Sequence, residues 1–225
     1  MRSLSQLLES APWFAKLDAS QQSLVSAEVY VKDFALNGLV CKKNEPVSHW
    51  VGVVDGLVKI STVSMDGKSV SFTGVPTGGW LGEGSMLKSE PRRYDVVALR
   101  ETRVAFMPKR TFDTLLSSSI SFNRFLLEQI NERLGQFIAT VENERLLAPD
   151  ARLARCVAQL FNPLLYPGQG NRLDISQSEL GYLTGLSRQR ANQALQVLQD
   201  VGLIRVDYGS IEVLDLAKLR VFEGV

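Results

Sequence analysis

Between Val31 and Met107 the chain is denied the room to build a long helix. Asn37-Gly38, Lys43-Asn44, Asp55-Gly56, Asp66-Gly67 and Thr77-Gly78-Gly79 break it into short pieces. Between the breaks lie WVGVV, LVKIST, SVSFTGV and DVVAL, rich in β-branched residues. Asn-Gly and Asp-Gly supply the positive φ that tight hairpins need. Short strands at such regular spacing predict an antiparallel barrel or roll. Ahead of it, MRSLSQLLESAPWFAKLD reads as one or two short amphipathic helices rather than a signal peptide, because no apolar run leads to a small-residue cleavage site.

The pattern changes after the roll. In ISFNRFLLEQINERLGQFIATVENERLLA, Ile120 to Ala148, Phe125, Ile130, Leu134, Ile138 and Val141 recur every three to five residues. That spacing predicts one amphipathic helix of about 28 residues, about 42 Å long. Such a stripe is longer than one small roll can cover. A copy of the same helix is the economical partner, so a parallel two-helix dimer interface is expected. Ala148-Pro149-Asp150 then ends the helix and opens another, which places a hinge there.

The last section predicts a helix from Asp150 to about Leu165, with Leu153, Val157, Leu160 and Phe161 inward. The loop YPGQGNR, a strand around LDIS, two short helices split by GLS, and strands on either side of Tyr208-Gly209 follow. Helix, glycine turn, helix and hairpin form the layout of a winged helix-turn-helix. The second of these short helices, with Ala191, Leu195, Val197 and Leu198 inward, leaves Arg188, Gln189, Asn192 and Gln193 on its open side. Arginine spans guanine O6 and N7, and glutamine or asparagine spans adenine N6 and N7. Ser187 is placed to cap that helix and meet a phosphate, Ser178 opens the preceding helix in a similar position, and Arg190 is within reach of a phosphate or flanking base. Arginines at a helix N-terminus oppose the helix dipole, a cost that a nearby polyanion relieves. The net charge of +1 at pH 7 carries no global preference for nucleic acid, so any basic surface must be local.

ISQSELGYLTGLSRQRANQALQVLQDVGLIRV resembles the helix-turn-helix of the Crp/Fnr superfamily of bacterial regulators, and the order of roll, long helix and winged helix is similar over nearly the whole chain. The resemblance implies an α+β protein in three parts. A jelly-roll-like antiparallel β-roll with N-terminal helices takes 1–118, a dimerisation helix 119–148, and a winged helix-turn-helix 149–225. It implies a sequence-specific homodimer on double-stranded DNA, with RNA polymerase as a further partner. It also places base reading at Arg188, Gln189 and Gln193. The cAMP-receptor pattern has Arg, Glu and Arg there, so the operator is expected to share one guanine contact but not the full half-site.

WLGEGSMLKSEPRRYDVVAL, Trp80 to Leu99, resembles the family's phosphate-binding cassette, in which a Gly-Glu pair and a short helix precede Arg and Ser/Thr. The resemblance puts Gly82 and Glu83 on the Gly-Glu pair and Arg92 on the cassette arginine; a register one residue along makes it Arg93. The Ser/Thr position is then Arg93, followed by Tyr94, and the hydroxyl residues that a cAMP receptor offers to adenine are replaced by Phe137-Ile138. Leaving polar base atoms unpaired there costs roughly 1–3 kcal/mol per group. Three readings stay open: specific cAMP binding, another small effector in the same roll, or a vestigial pocket in which Glu83 pairs with Arg92 or Arg93.

Other chemistries find little support. Cys41 and Cys156, the two cysteines, lie too far apart for a cluster motif, so no iron–sulfur centre is expected and free thiols in a reducing cytoplasm are. His49 is the lone histidine, a packed or surface residue rather than a haem ligand, and Met86 and Met107 belong to the core. There is no Ser/His/Asp or HExxH arrangement and no Walker motif, so no enzyme is expected, and no apolar run is long enough to span a membrane. The rival to a DNA-binding regulator is a nucleotide-sensing regulatory or scaffold module that does not bind DNA.

Overall fold

The computed structural model describes residues 2–224. Two short helices, α1 (Leu4–Ser10) and α2 (Ala19–Glu28), come first. Each opens with a capping box, Ser3 with Gln6 and Asp18 with Gln21, which satisfies amides that helices this short cannot satisfy internally. Eight strands follow: β1 (Tyr30–Phe34), β2 (Leu39–Cys41), β3 (His49–Asp55), β4 (Leu57–Val63), β5 (Ser69–Pro76), β6 (Trp80–Leu81), then, after helix α3 (Glu83–Lys88), β7 (Asp95–Ala98) and β8 (Thr102–Pro108). They form two four-stranded antiparallel sheets, ordered β1-β8-β3-β6 and β2-β7-β4-β5, which is the expected roll. Val51, Val53, Val58, Ile60, Val96 and Val104 fill the space between the sheets. At one end an aromatic cluster, with Trp50 and Trp80 stacked 4.4 Å apart and Trp13 and Phe122 against them, ties the N-terminal helices to the roll.

Helix α4 (Lys109–Ser118) leads into α5 (Ile120–Leu146), the long central helix. Its apolar residues do not form the single stripe read from the sequence. Phe122, Phe125 and Leu126 pack into the roll's own core, and the buried Gln129 and Gln136 share that side. Leu127, Leu134, Ile138 and Val141 form a second, outward stripe, each residue between 48% and 68% exposed. A period of 3.6 cannot place Phe125 and Leu134 on one line, since nine residues amount to two and a half turns.

Helix α6 (Pro149–Gln159) starts at the expected proline but stops short of Leu165. Pro163 lacks an amide hydrogen, and its ring would strike the carbonyl four residues back, so the chain turns instead. Leu153, Val157, Leu160 and Phe161 are buried as expected. Strand β9 (Arg172–Asp174), α7 (Gln177–Thr184), α8 (Arg188–Asp200), β10 (Ile204–Asp207), β11 (Ser210–Val213) and a terminal α9 (Leu216–Val221) complete a winged helix-turn-helix. Its sheet order is β10-β11-β9. Gly185, at φ +66°, supplies the left-handed residue that ends α7. This unit shares its core with the roll: Leu57 and Leu99 are buried in one cluster with Leu160, Leu183 and Leu195. Arg100 of the roll also lies 3.8 Å from both Asp174 and Glu179.

Candidate nucleic-acid interface and effector pocket

Ala191, Ala194, Leu195 and Leu198 are the buried side of α8. Ala194 takes the place expected of Val197, which is only half-buried. The opposite side carries Arg188, Gln189, Arg190, Asn192 and Gln193, all exposed. Ser187 caps the helix as expected, its Oγ accepting from the Arg190 amide at 3.2 Å. No acid lies in the first turn, so two arginines and an open helix N-terminus make one positive end. Arg190 Nη1 donates to Gln193 Oε1 at 3.1 Å, so the glutamine is held by its own helix in the free protein.

At α7 the helix-opening role belongs to Ser176, not Ser178. Ser176 Oγ accepts from the Glu179 amide in a capping box, because the glutamate three residues on completes the box only from position 176. Ser178 sits half-buried inside the first turn. It still faces the reading helix: Ser176, Ser178, Arg188, Tyr208 and Gly209 line one cleft of about 380 Å³ between α7, α8 and the wing. Tyr208, fully exposed at the wing tip, was read from the sequence only as part of a turn. A tyrosine beside the turn glycine was the available signal.

The roll holds the second site. Gly82, at φ +95°, precedes Glu83 at the start of α3, and a methyl group on Gly82 would come 2.9 Å from Arg92 Nη1. Arg92 is buried and donates from Nη2 to the His49 carbonyl at 2.7 Å. Arg93 is exposed and pairs with Glu90 at 2.7 Å. Of the two registers, the first therefore puts its arginine inside. Neither of these arginines is the partner of Glu83. The buried glutamate lies instead 3.3 Å from Arg133 Nε of α5, and Arg133 Nη2 donates to the Trp80 carbonyl at 2.9 Å. The pairing expected of a vestigial pocket is thus replaced by one from the long helix. Arg133 went unnoticed in the sequence, although Gln129, Arg133 and Gln136 recur at helical spacing as polar positions on the roll side.

The corner is buried and charged. Burial pulls the Arg133 pKa down, but Glu83, then Tyr166 and Tyr94, outweigh it and leave the guanidinium more firmly protonated than usual. Burial, with Glu83 nearby, pushes the Tyr94 phenol up to about 12. Glu83 Oε2, Arg92 Nη1 and Arg133 Nη1 are buried with no hydrogen-bond partner. Two cations and one anion thus leave excess positive charge and spare donors, which suits a small anion by charge. His49 has both ring nitrogens in hydrogen-bond range, of Tyr30 Oη at 3.1 Å and Ser48 Oγ at 2.8 Å, which fits a packed role. Among the described residues no group of three or more His, Cys, Asp or Glu side chains is placed to hold a metal, and no helix is long and apolar enough to cross a membrane.

A β-roll with a cassette-like corner, joined through a long helix to a winged helix-turn-helix with an open reading face, defines a DNA-binding regulator with a sensory-type domain. Residues 31–119 match the model of the cyclic nucleotide-binding domain, and 151–222 match that of the Crp-like helix-turn-helix domain. The chain belongs to the Crp/Fnr superfamily of transcription regulators. It is 23% identical over 219 residues to a CRP-like cAMP-activated global transcriptional regulator of Mycobacterium tuberculosis, covering 96% of this chain and 98% of that one. It is 26% identical over 170 residues to the transcriptional regulator SdrP of Thermus thermophilus, covering 75% and 80%. The solved structure of FixK2 from Bradyrhizobium japonicum shares the fold at a TM-score of 0.71 and 15% identity, over 88% of this chain and 98% of that one.

Proposed function

We propose that this regulator works as a homodimer, joined through the outward stripe of α5, with each recognition helix in one of two successive major grooves. Two-fold symmetry then requires a pseudo-palindromic operator with half-sites about 34–36 Å apart. Arg188 reads a guanine, Gln189 and Gln193 set the bases at which this operator departs from that of a cAMP receptor, and Asn192 reads beside them. Ser178, Ser187 and Arg190 serve the phosphates, with Tyr208 on the wing. The observation that carries this reading is the capped start of α8, where reading side chains stand exposed on one face over a buried alanine–leucine side. RNA polymerase and the cytoplasm complete the proposed setting.

For the roll, Gly82, Glu83 and Arg92 form a corner for a small anionic effector, with Arg93 outside it. Specific cAMP binding is disfavoured, because Phe137-Ile138 cannot bond adenine and Tyr94 crowds the site. Selection of operator sequences from a random library tests the DNA reading. Arg188→Ala should lose discrimination at one guanine per half-site by about 1–3 kcal/mol while the dimer persists; unchanged base preference would refute the assignment. Calorimetry with cAMP on ligand-stripped protein tests the roll, and tight binding there would overturn the effector reading.

A further inference from the structure

Residues 74–80, the end of β5 and the turn into β6, are gripped from two sides. From the central helix, Arg133 Nη2 and Gln129 Nε2 both donate to the Trp80 carbonyl, at 2.9 and 3.3 Å. From the winged domain, Tyr166 Oη donates to the Gly74 carbonyl at 3.2 Å. Three glycines make this seat. A methyl group on Gly74 would come 2.9 Å from Leu160, one on Gly78 2.1 Å from the Pro167 carbonyl, and one on Gly79 2.8 Å from the Tyr166 ring. Tyr166 is buried in the crevice so formed. Glu83 follows Trp80 by three residues and shares Arg133 with the carbonyl that anchors the turn.

We propose that Arg133 is a coupling residue, which transmits the state of Glu83 to the glycine seat that holds Tyr166 and so to the position of the winged domain. The inference rests on the regulatory reading of the roll. With Arg133 on Glu83 and Trp80, the turn is fixed and the winged domain is seated. Whatever takes Glu83 away from Arg133 releases the guanidinium, leaves the Trp80 carbonyl to Gln129 alone and loosens the seat. Equal engagement of Glu83 in both seatings would transmit nothing. Packed glycines against a tyrosine ring are suited to carry the coupling, because such contacts fit or fail rather than stretch.

Hydrogen exchange on the full-length protein without DNA reads the seat directly. The reporters are the Gly78 and Gly79 amides, bonded to the Val53 and Pro76 carbonyls, and the Tyr166 amide, bonded to the Asn162 carbonyl. The paired amides of β1 and β8 are the control. Glu83→Gln and Arg133→Ala should each speed exchange at the reporters by about fivefold or more beyond any rise in the control, which follows global stability. Arg133→Ala and the double variant should then give the same excess over the control, because both carboxylate and carbonyl act through one guanidinium. Tyr166→Phe, which keeps the ring and removes the hydroxyl that bonds Gly74 and interacts with Arg133, should speed Gly78 and Gly79. An unchanged Tyr166 amide in Glu83→Gln, a double variant equal to the product of the singles, a matching rise in the control, or silent glycines in Tyr166→Phe would each overturn the proposal. No readout involves DNA, so a failed operator selection leaves this result standing.

Discussion

Arg133 Nε lies 3.3 Å from Glu83 Oε1, across the junction of the central helix and the roll, and both side chains are almost wholly removed from water. A pair in that position couples two elements that otherwise meet mainly through apolar packing. Removing one partner leaves the other charge buried and unpaired. Arg133→Ala should therefore lower stability by about 3–5 kcal/mol in urea unfolding, and Glu83→Gln added to it should recover part of that loss. A change within 0.5 kcal/mol for Arg133→Ala, the range of ordinary surface substitutions, would show that the pair is not desolvated in solution.

The outward stripe of α5 predicts assembly. Ile138→Glu puts a charge where the structure exposes a large apolar side chain, so the fold of each subunit should be preserved. Sedimentation should report monomers at concentrations where the parent is dimeric, with unchanged far-ultraviolet circular dichroism. A stable dimer of this variant would move the interface elsewhere.

Arg190 and Arg188 should fail in different ways. Arg190 bonds Gln193 in the free protein and is assigned to a phosphate, so Arg190→Ala should weaken binding to all sequences alike. The slope of log affinity against log salt should fall by about 0.9. A shift in base preference with an unchanged slope would exchange the roles of the two arginines.

Tyr94 gives a pH signature. Its phenol pKa is raised from the ordinary 10.0 to about 12, first by burial and then by Glu83. Folding therefore favours the neutral phenol, and the stability tied to it is whole below pH 10 and lost as pH rises through about 12. Difference absorbance should show a phenol that titrates near 12 and is absent from Tyr94→Phe. Titration of every tyrosine near 10 would contradict the burial.

The cysteines yield a last check. Burial raises the Cys41 thiol and pushes that of Cys156 up to about 12, and both are free. With so little thiolate, both should react slowly with a disulfide reagent at pH 8 and promptly once unfolded. Fast labelling of either in the folded protein would refute its placement.

The roll, the long helix and the winged helix were legible because each is set by local rules: glycine turns, a helical period, and a short helix pair followed by a hairpin. The exposed polar face of α8 was legible for the same reason, since Ser187 and the residues after it are placed within one helix turn. The single α5 stripe was not correct, because Phe125 and Leu134 answer to different partners and a sequence does not label which apolar residue meets which surface. Glu83 and Arg133 stand 50 positions apart, and only the fold brings them together. Ser178 was misplaced as a helix opener by two residues, since two serines compete and only Glu179 settles which one caps.

The sidedness of α5 also bears on dosage. An apolar stripe runs along its outward side while its roll-facing side carries an arginine and two glutamines beside its phenylalanines, so a lone subunit is soundly folded yet unfinished. If assembly waits on a second copy, the amount of competent regulator rises with the square of its abundance while copies are scarce. A twofold change in synthesis then becomes up to a fourfold change in operator-ready molecules. Such a protein can set a threshold on its own expression before any signal is sensed.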